Sequence, residues 1–291
     1  VTDLEGMPNI TSLYGLEAYE TYFDEIKKLS KQILSMGFQP YICDVHNSGK
    51  CLEGKEIKKI TIYRGISKID FSIPYDFAIL AGFHGMAGHE GVWTHTFTDE
   101  IEKAFLGDVE CGEITFFCNW LSLKGVDVRV ILGIHGIEEE AIRMDIPYYV
   151  VSNQTGQQDD MWSFLSKVTG FKSYHSNKTE SASKVKLRNK EICDFLRMKS
   201  LYVVENDYIC FNNLDELVYS IEDLCVSINK IKSEILSRNI HFVKVLKKKN
   251  PKEYECLKGL SLLNKGLDEL TEEDLRYIQQ IIENENYKKC N

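Results

Sequence analysis

The chain has no apolar run near the length of a membrane span. Its longest runs, such as Phe77 to Phe83, fall far short of the ~20 residues a spanning helix needs. It has no excess of basic charge: 35 Lys plus Arg stand against 44 Asp plus Glu, a net charge of −9. A protein that binds by neutralising phosphates carries the opposite sign, so neither nucleic acid nor an anionic membrane is the expected partner. No CxxC pair occurs. The nine cysteines, at 43, 51, 111, 118, 193, 210, 225, 256 and 290, are odd in number and widely spaced, in a chain too long for a small disulfide scaffold. They read as free thiols of a reducing compartment, and the expected localisation is cytoplasmic. No secretory signal peptide, internal repeat or low-complexity tract is recognisable. An initiating Met is also missing: Val1-Thr2-Asp3-Leu4-Glu5-Gly6 reads as the tail of a strand, and further residues are expected upstream.

What is present is globular. The 291 residues are 43% hydrophobic and 27% charged, enough for a sizeable core in one large or two modest domains. Residues 17–36 repeat Tyr19, Phe23, Ile26, Leu29 and Ile33 at helical spacing, with Glu17 and Glu20 early, Lys31 late and Gly37 just beyond; this predicts an amphipathic helix. Buried strands are predicted at 38–43, 76–82, 126–132 and 146–151, with a helix over 113–123. Ser173 to Lys190 is polar and charged and reads as a loop or surface segment. From Asn212 the pattern is helical, with a stripe from Leu214 to Ile235, a break near Pro251, and two short helices over 252–265 and 271–285. Strands alternating with helices predict an α/β fold with a mostly parallel sheet and flanking helices.

The chemistry-bearing residues fall at one kind of place. Asp3 and Glu5, two apart at a strand end, share a face. His46 follows the end of the next strand and His84 the end of the one after. The carboxyl edge of an open α/β sheet is where ligands bind. Two carboxylates and two imidazoles there would give mixed oxygen and nitrogen ligation suited to zinc, manganese or similar ions. Taken singly, each has an ordinary explanation: a solvated strand end or helix cap for the acids, a core or loop histidine for each imidazole. Between His84 and His95 the segment holds three glycines over 85–91, a backbone that can pass close to a ligand, or a plain Gly-rich surface loop.

The motifs in order resemble those of the zinc-dependent D-aminopeptidases of the DppA type. Asp3-Leu4-Glu5-Gly6 matches the family's opening Asp-x-Glu-Gly. Asp44-Val45-His46 matches its Asp-x-His, and Gly82-Phe83-His84 its Gly-(aromatic)-His. Gly91-Val92-Trp93-Thr94-His95 places a histidine eleven residues after His84, and Gly112-Glu113 follows eighteen residues later, as the family pattern has it. Clear resemblance covers about residues 1–150, with a looser likeness near 209–230. It implies that Asp3, Glu5, His46, His84 and Glu113 ligate two zinc ions per subunit, with manganese or cobalt as alternatives, and that His95 is a proton-transfer group beside them. It also implies a two-domain α/β fold, assembly into a ring-like homo-oligomer, and removal of N-terminal D-amino acids from short peptides by metal-activated water.

Around that set, Asp44, His89 and His135 are candidates for supporting or pocket roles. Asp44 is placed to orient His46 or to serve as a turn residue. His175 and His241 read as surface residues, Trp93 and Trp120 as packing groups. Two positions depart from the family pattern: Met86 stands where an Arg is usual, and Gly133-Ile134-His135-Gly136 where the strand commonly ends in Gly-Asp. Retained ligands with altered neighbours point to a metal-dependent amidase or aminopeptidase acting on a specialised peptide or amide. The competing expectation is a non-catalytic peptide-binding or ring-forming protein on the same scaffold. The expected organisation is a catalytic region over 1–235, with a second smaller α/β subdomain in it, and a helical extension over 236–291.

Overall fold

The computed structural model describes residues 1–13, 15–151, 157–176, 182–249 and 251. The helices expected over 252–265 and 271–285 lie outside them. The chain divides into two compact units, Val1–Cys225 and Val226–Asn291.

The first unit is built on parallel strands β1 (Tyr41–Asp44), β2 (Thr61–Arg64), β3 (Ala78–Phe83), β6 (Val128–Gly133) and β7 (Tyr148–Val150). β1 pairs with β2, and β3 with β6, which pairs with β7, all in parallel. The opening residues join the two groups: Thr2 bridges in parallel to Asp44 of β1 and to Ala81 of β3. The amide of Thr2 donates to the Cys43 carbonyl at 2.7 Å and that of Asp3 to the Ala81 carbonyl at 2.9 Å. Asp3 is therefore threaded between the carboxyl ends of two strands. Two glycines allow the crossing. A Cβ on Gly82, whose φ is +88°, would sit on the Asp3 carbonyl oxygen, and one on Gly6 on the Phe83 carbonyl oxygen. Only glycine fits such a contact, the more so where φ is positive.

Helix α1 (Leu16–Ser35) covers one face of the sheet. Its fully buried stripe is Ala18, Tyr22, Ile26 and Leu29, while the expected Tyr19, Phe23 and Ile33 flank it half-buried. The stripe packs with Leu4, Ile10, Ile42, Leu52, Ala81 and Leu132 in one core cluster. Helix α2 (Glu113–Leu123) coincides with its expected span and is buried almost all round, from Glu113 through Ser122. A helix apolar on every side belongs inside a layered core rather than on its surface.

A second, antiparallel sheet is ordered β5-β4-β8-β10-β9, from β4 (Ile101–Leu106), β5 (Val109–Glu110), β8 (Ser183–Leu187), β9 (Val203–Glu205) and β10 (Tyr208–Phe211). Strand β8 corrects the reading of 173–190 as a loop or surface segment. Its Ser183, Val185 and Leu187 are buried in strict alternation with half-buried Lys184 and Lys186, a period-2 pattern masked by the lysines. Short helices α3 (Glu138–Arg143), α4 (Gln157–Leu165) and α5 (Lys190–Met198) complete the layers, and α6 (Leu214–Lys249) runs on from β10. Residues Leu214, Leu217, Val218, Ile221 and Leu224 of its stripe are buried. The helix is continuous through residues 235 and 236. The seven cysteines among the described residues are free thiols. No helix among the described residues is long and apolar enough to cross a membrane.

Candidate metal centre

Five segments deliver six side chains to one volume. Asp3 and Glu5 come from the opening segment, His46 from the turn after β1, His84 from the end of β3, His95 from the loop beyond it, and Glu113 from the first residue of α2. Asp3 and Glu5 are 3% and 2% exposed, His84 3% and Glu113 7%. His46 Nδ1 lies 3.1 Å from Asp3 Oδ1 and 2.8 Å from Glu5 Oε2. His84 Nε2 lies 3.4 Å from Asp3 Oδ2 and 3.8 Å from Glu113 Oε1. Asp3 thus presents one oxygen to each histidine. His95 stacks on His84 with ring centroids 4.0 Å apart, and its Nε2 is 3.8 Å from Glu5 Oε1.

Local structure fixes these groups. His84 Nδ1 lies 3.0 Å from the Gly85 carbonyl and His95 Nδ1 2.9 Å from the Trp93 carbonyl. A nitrogen facing a carbonyl must carry the proton, which leaves each Nε2 with a free lone pair in the neutral ring. Glu113 Oε1 accepts from the Phe97 amide at 2.5 Å, and Asp3 Oδ1 from the Leu4 amide at 2.9 Å.

So many charges so deeply buried shift one another. Burial resists ionisation of Asp3, but the His46 hydrogen bond and the nearby His84 prevail and hold it well below the usual carboxylate range. Burial, then the Asp3 charge, raises Glu5. Burial takes Glu113 up to about 8. Against their own desolvation, His46 is raised to about 12 by Asp3 and Glu5, and His84 to about 10 by Asp3 and Glu113. His95, by contrast, is lowered to about 4 by burial and then by the charge on His84. Without metal, protons on His46 and His84 are the cations of the cluster.

The arrangement fits a divalent metal. The Nε2 atom of His84 is buried and has no hydrogen-bond partner among the described residues, although two carboxylates face it. Buried polar atoms are nearly always satisfied, and an orphan aimed into a carboxylate cluster is an atom that a shared cation would satisfy. The donors also form three ligand triads: Asp3, Glu5 and His46; Asp3, His84 and Glu113; and Glu5, His84 and His95. Carboxylate oxygen mixed with imidazole nitrogen suits zinc and its neighbours.

The remaining candidates lie elsewhere. Asp44 is buried, but its oxygens accept from the Tyr22 hydroxyl and the backbone amides of His46 and Leu52, so it holds the turn rather than the imidazole ring. His89 and His135 pair with Glu139 and Glu138, each at 2.7 Å, on the surface. Met86 is buried, its Cβ against Gly112. His175 is exposed; the side chain of His241 lies outside the described residues. Trp120 is fully buried with its Nε1 donating to Asp215 at 2.7 Å, and Trp93 packs against the core. Sequence reasoning missed three contributors. Tyr22 bonds Thr2 and Asp44 from within an ordinary helical stripe, the Phe97 amide leaves no side-chain signature, and Glu140 sits in an acidic run that reads as a solvated face. A cavity of about 270 Å³ lined by Tyr41, Tyr63, Phe71, Tyr75 and Phe77 includes none of the cluster residues. It faces the amino-terminal part of β3, and the convergent polar groups mark the other end as the reactive one.

A mostly parallel α/β sheet with a buried carboxylate–imidazole cluster at its carboxyl edge defines an enzyme with the donor set of a metal-dependent hydrolase. The chain belongs to the D-aminopeptidase family, whose profile matches residues 1–169. It is thus an aminopeptidase-type enzyme. Its fold is similar to that of the Zn-dependent D-aminopeptidase DppA from Bacillus subtilis, described as a self-compartmentalizing protease. The TM-score is 0.62 at 11% identity, covering 79% of this chain and 95% of that one. No curated protein sequence matches.

Proposed function

We propose that the chain is a dinuclear zinc-dependent amide hydrolase that removes the N-terminal residue of a specialised peptide or amide. The observation that carries this reading is the orphaned Nε2 of His84 facing Asp3 and Glu113. In it, Glu5 and His46 would hold one ion and His84 and Glu113 the other, with Asp3 an oxygen donor beside both. Ions held there would supply a water of lowered pKa and polarise the amide carbonyl. The three carboxylates offset most of the ions' charge. His95, with its Nε2 turned toward the cluster, is placed to accept a proton there and deliver it to the leaving amine. Its Nδ1 bond to the Trp93 carbonyl holds the ring in that tautomer.

Zinc is favoured by the donor set and by the precedent of the structural neighbour, and a homo-oligomer by that neighbour's self-compartmentalizing assembly. The catalytic region is assigned to residues 1–235, which hold every residue named, with 236–291 as a helical extension. Met86, where the family resemblance has an Arg, removes a bidentate anchor for a carboxylate and favours a substrate larger or less charged than a free dipeptide.

The test is elemental analysis of the purified protein with turnover of D-amino-acid amides and peptides. Two divalent ions per chain are expected, with occupancy and activity lost together in His46→Ala and His84→Ala. Full activity in chelator with no transition metal bound would overturn the proposal.

A further inference from the structure

Helix α3 opens with Glu138, Glu139 and Glu140. The first two meet histidines at the surface; Glu140 is 1% exposed. A buried carboxylate persists only where donors surround it. One of its oxygens, Oε1, accepts from the Gly112 amide at 2.8 Å, the Thr115 amide at 3.0 Å and the Thr115 hydroxyl at 2.5 Å. The two amides are among the donors that the first turn of α2 leaves without an intrahelical partner. Gly112, at the N-cap position, has no side chain to satisfy them. Glu140 is the cap, delivered from another helix, and its charge complements the positive end of α2. Its Oε2, buried and without a hydrogen-bond partner among the described residues, packs against Gly112, where a Cβ would meet it at 2.6 Å, so the donors converge on Oε1 alone. Arg143, one turn on, bonds the Thr115 hydroxyl at 3.0 Å and the Glu110 carbonyl at 2.8 Å, so both flanks of the turn are held by α3.

The first residue of that turn is Glu113, and no other member of the cluster lies on α2. If the first turn frays or rotates, the carboxylate 3.8 Å from His84 moves with it, while Asp3, Glu5 and His46 stay on their strand ends. We propose that Glu140 is a positioning residue for Glu113, and that its cap sets the affinity for the ion held by His84 and Glu113 without setting that of the ion held by Glu5 and His46.

This rests on the two-ion reading above. The experiment is zinc titration of metal-free full-length protein against a competing chelator, for wild type, His84→Ala, Glu140→Ala and Glu140→Gln, with kcat and KM at saturating zinc. His84→Ala identifies the binding step that belongs to its ion. Glu140→Ala should weaken that step about 10–100-fold, the usual effect of removing a group that orients a ligand, and leave the other step within about threefold. Glu140→Gln keeps an acceptor oxygen for the amides and should restore most of the loss, and kcat should follow the same order with KM little changed. If Glu140→Ala is insoluble, Glu140→Asp, one methylene short of the cap, must show the same selective loss. Two steps weakened equally with a lowered melting temperature, or both unchanged, would overturn this inference and leave the two-ion reading standing. A wild type that binds no zinc would overturn the two-ion reading itself, and this inference with it.

Discussion

On the two-ion reading proposed above, loading the cluster with metal expels protons, and the structure sets how many. In metal-free protein His46 and His84 are raised to about 12 and about 10, so both are protonated at pH 7. Glu113, at about 8, is about nine-tenths protonated there. All three must be deprotonated to serve as ligands. Filling both sites at pH 7 should therefore release close to three protons from these groups. At pH 9 Glu113 is already ionised and the release should fall by about one. By linkage the overall two-ion binding constant should gain about 10³-fold per pH unit near neutrality. Calorimetric titration with zinc in buffers of different ionisation enthalpy reads the number directly. The same shifts fix the stability of the metal-free protein. A raised pKa gives stability that is complete below the unfolded value and lost as pH climbs through the folded one. For the two histidines that window opens at 6.5, and for Glu113 it runs from 4.5 to about 8. The melting temperature of metal-free protein should fall from pH 6 to pH 10, and zinc should increasingly offset the fall. Release of fewer than one proton per pair of ions at pH 7 would refute the charge arrangement described here.

His95→Ala should retain zinc and fold but lose about 10²–10⁴ in kcat, the range for a general acid–base group; loss of metal as severe as in His84→Ala would make it a ligand instead. Gly82→Ala should cost at least about 2 kcal/mol, or abolish folding, because it adds a left-handed φ penalty to an overlap with the Asp3 carbonyl; urea melts check this, and an unchanged midpoint would contradict the crossing geometry. D-Ala-D-Ala should be cleaved poorly beside D-amino-acid amides; kcat/KM on the order of 10⁴ M⁻¹s⁻¹ or more for that dipeptide would restore the plain family substrate.

The sequence made the parallel sheet and its helices legible because α1 and α2 follow strong patterns and β3 and β6 are short apolar runs between turn signals. The antiparallel sheet was harder. Strand β8 alternates Val and Leu with lysines, and charge outweighed period in reading it. Strands β9 and β10 are only three and four residues long. The cluster was legible for a different reason: acids and histidines recur at strand ends, and their order follows a known family's motifs. Asp44 exposes the limit of that route. Spacing places it beside His46, yet a side chain two residues away can equally turn back onto the backbone, and here it does. His135 likewise ends the Gly-Ile-His segment after β6, but its ring turns outward to Glu138. Sequence position locates a Cα near an edge; the local turn decides where the ring goes.

The cluster is held by the backbone more than by its own attractions. Burying three carboxylates with three imidazoles is unfavourable before any cation arrives, and paired charges seldom repay their full desolvation. A site relying on mutual attraction would rearrange whenever a proton replaced a metal. Here four of the six groups have a short tether to a nearby or rigid main-chain atom: Asp3 to Leu4, His84 to Gly85, His95 to Trp93, and Glu113 to Phe97. Asp3 is further fixed because its own amide belongs to the sheet, bonded to Ala81. The glycine crossing at Gly6 and Gly82 brings that strand end against β3 closely enough for its carboxylate to reach His46 with one oxygen and His84 with the other. Preorganised donors need little reorganisation when the cation or the transition state arrives, and that fixed geometry, rather than the strength of any single pair, is what such a centre contributes to catalysis.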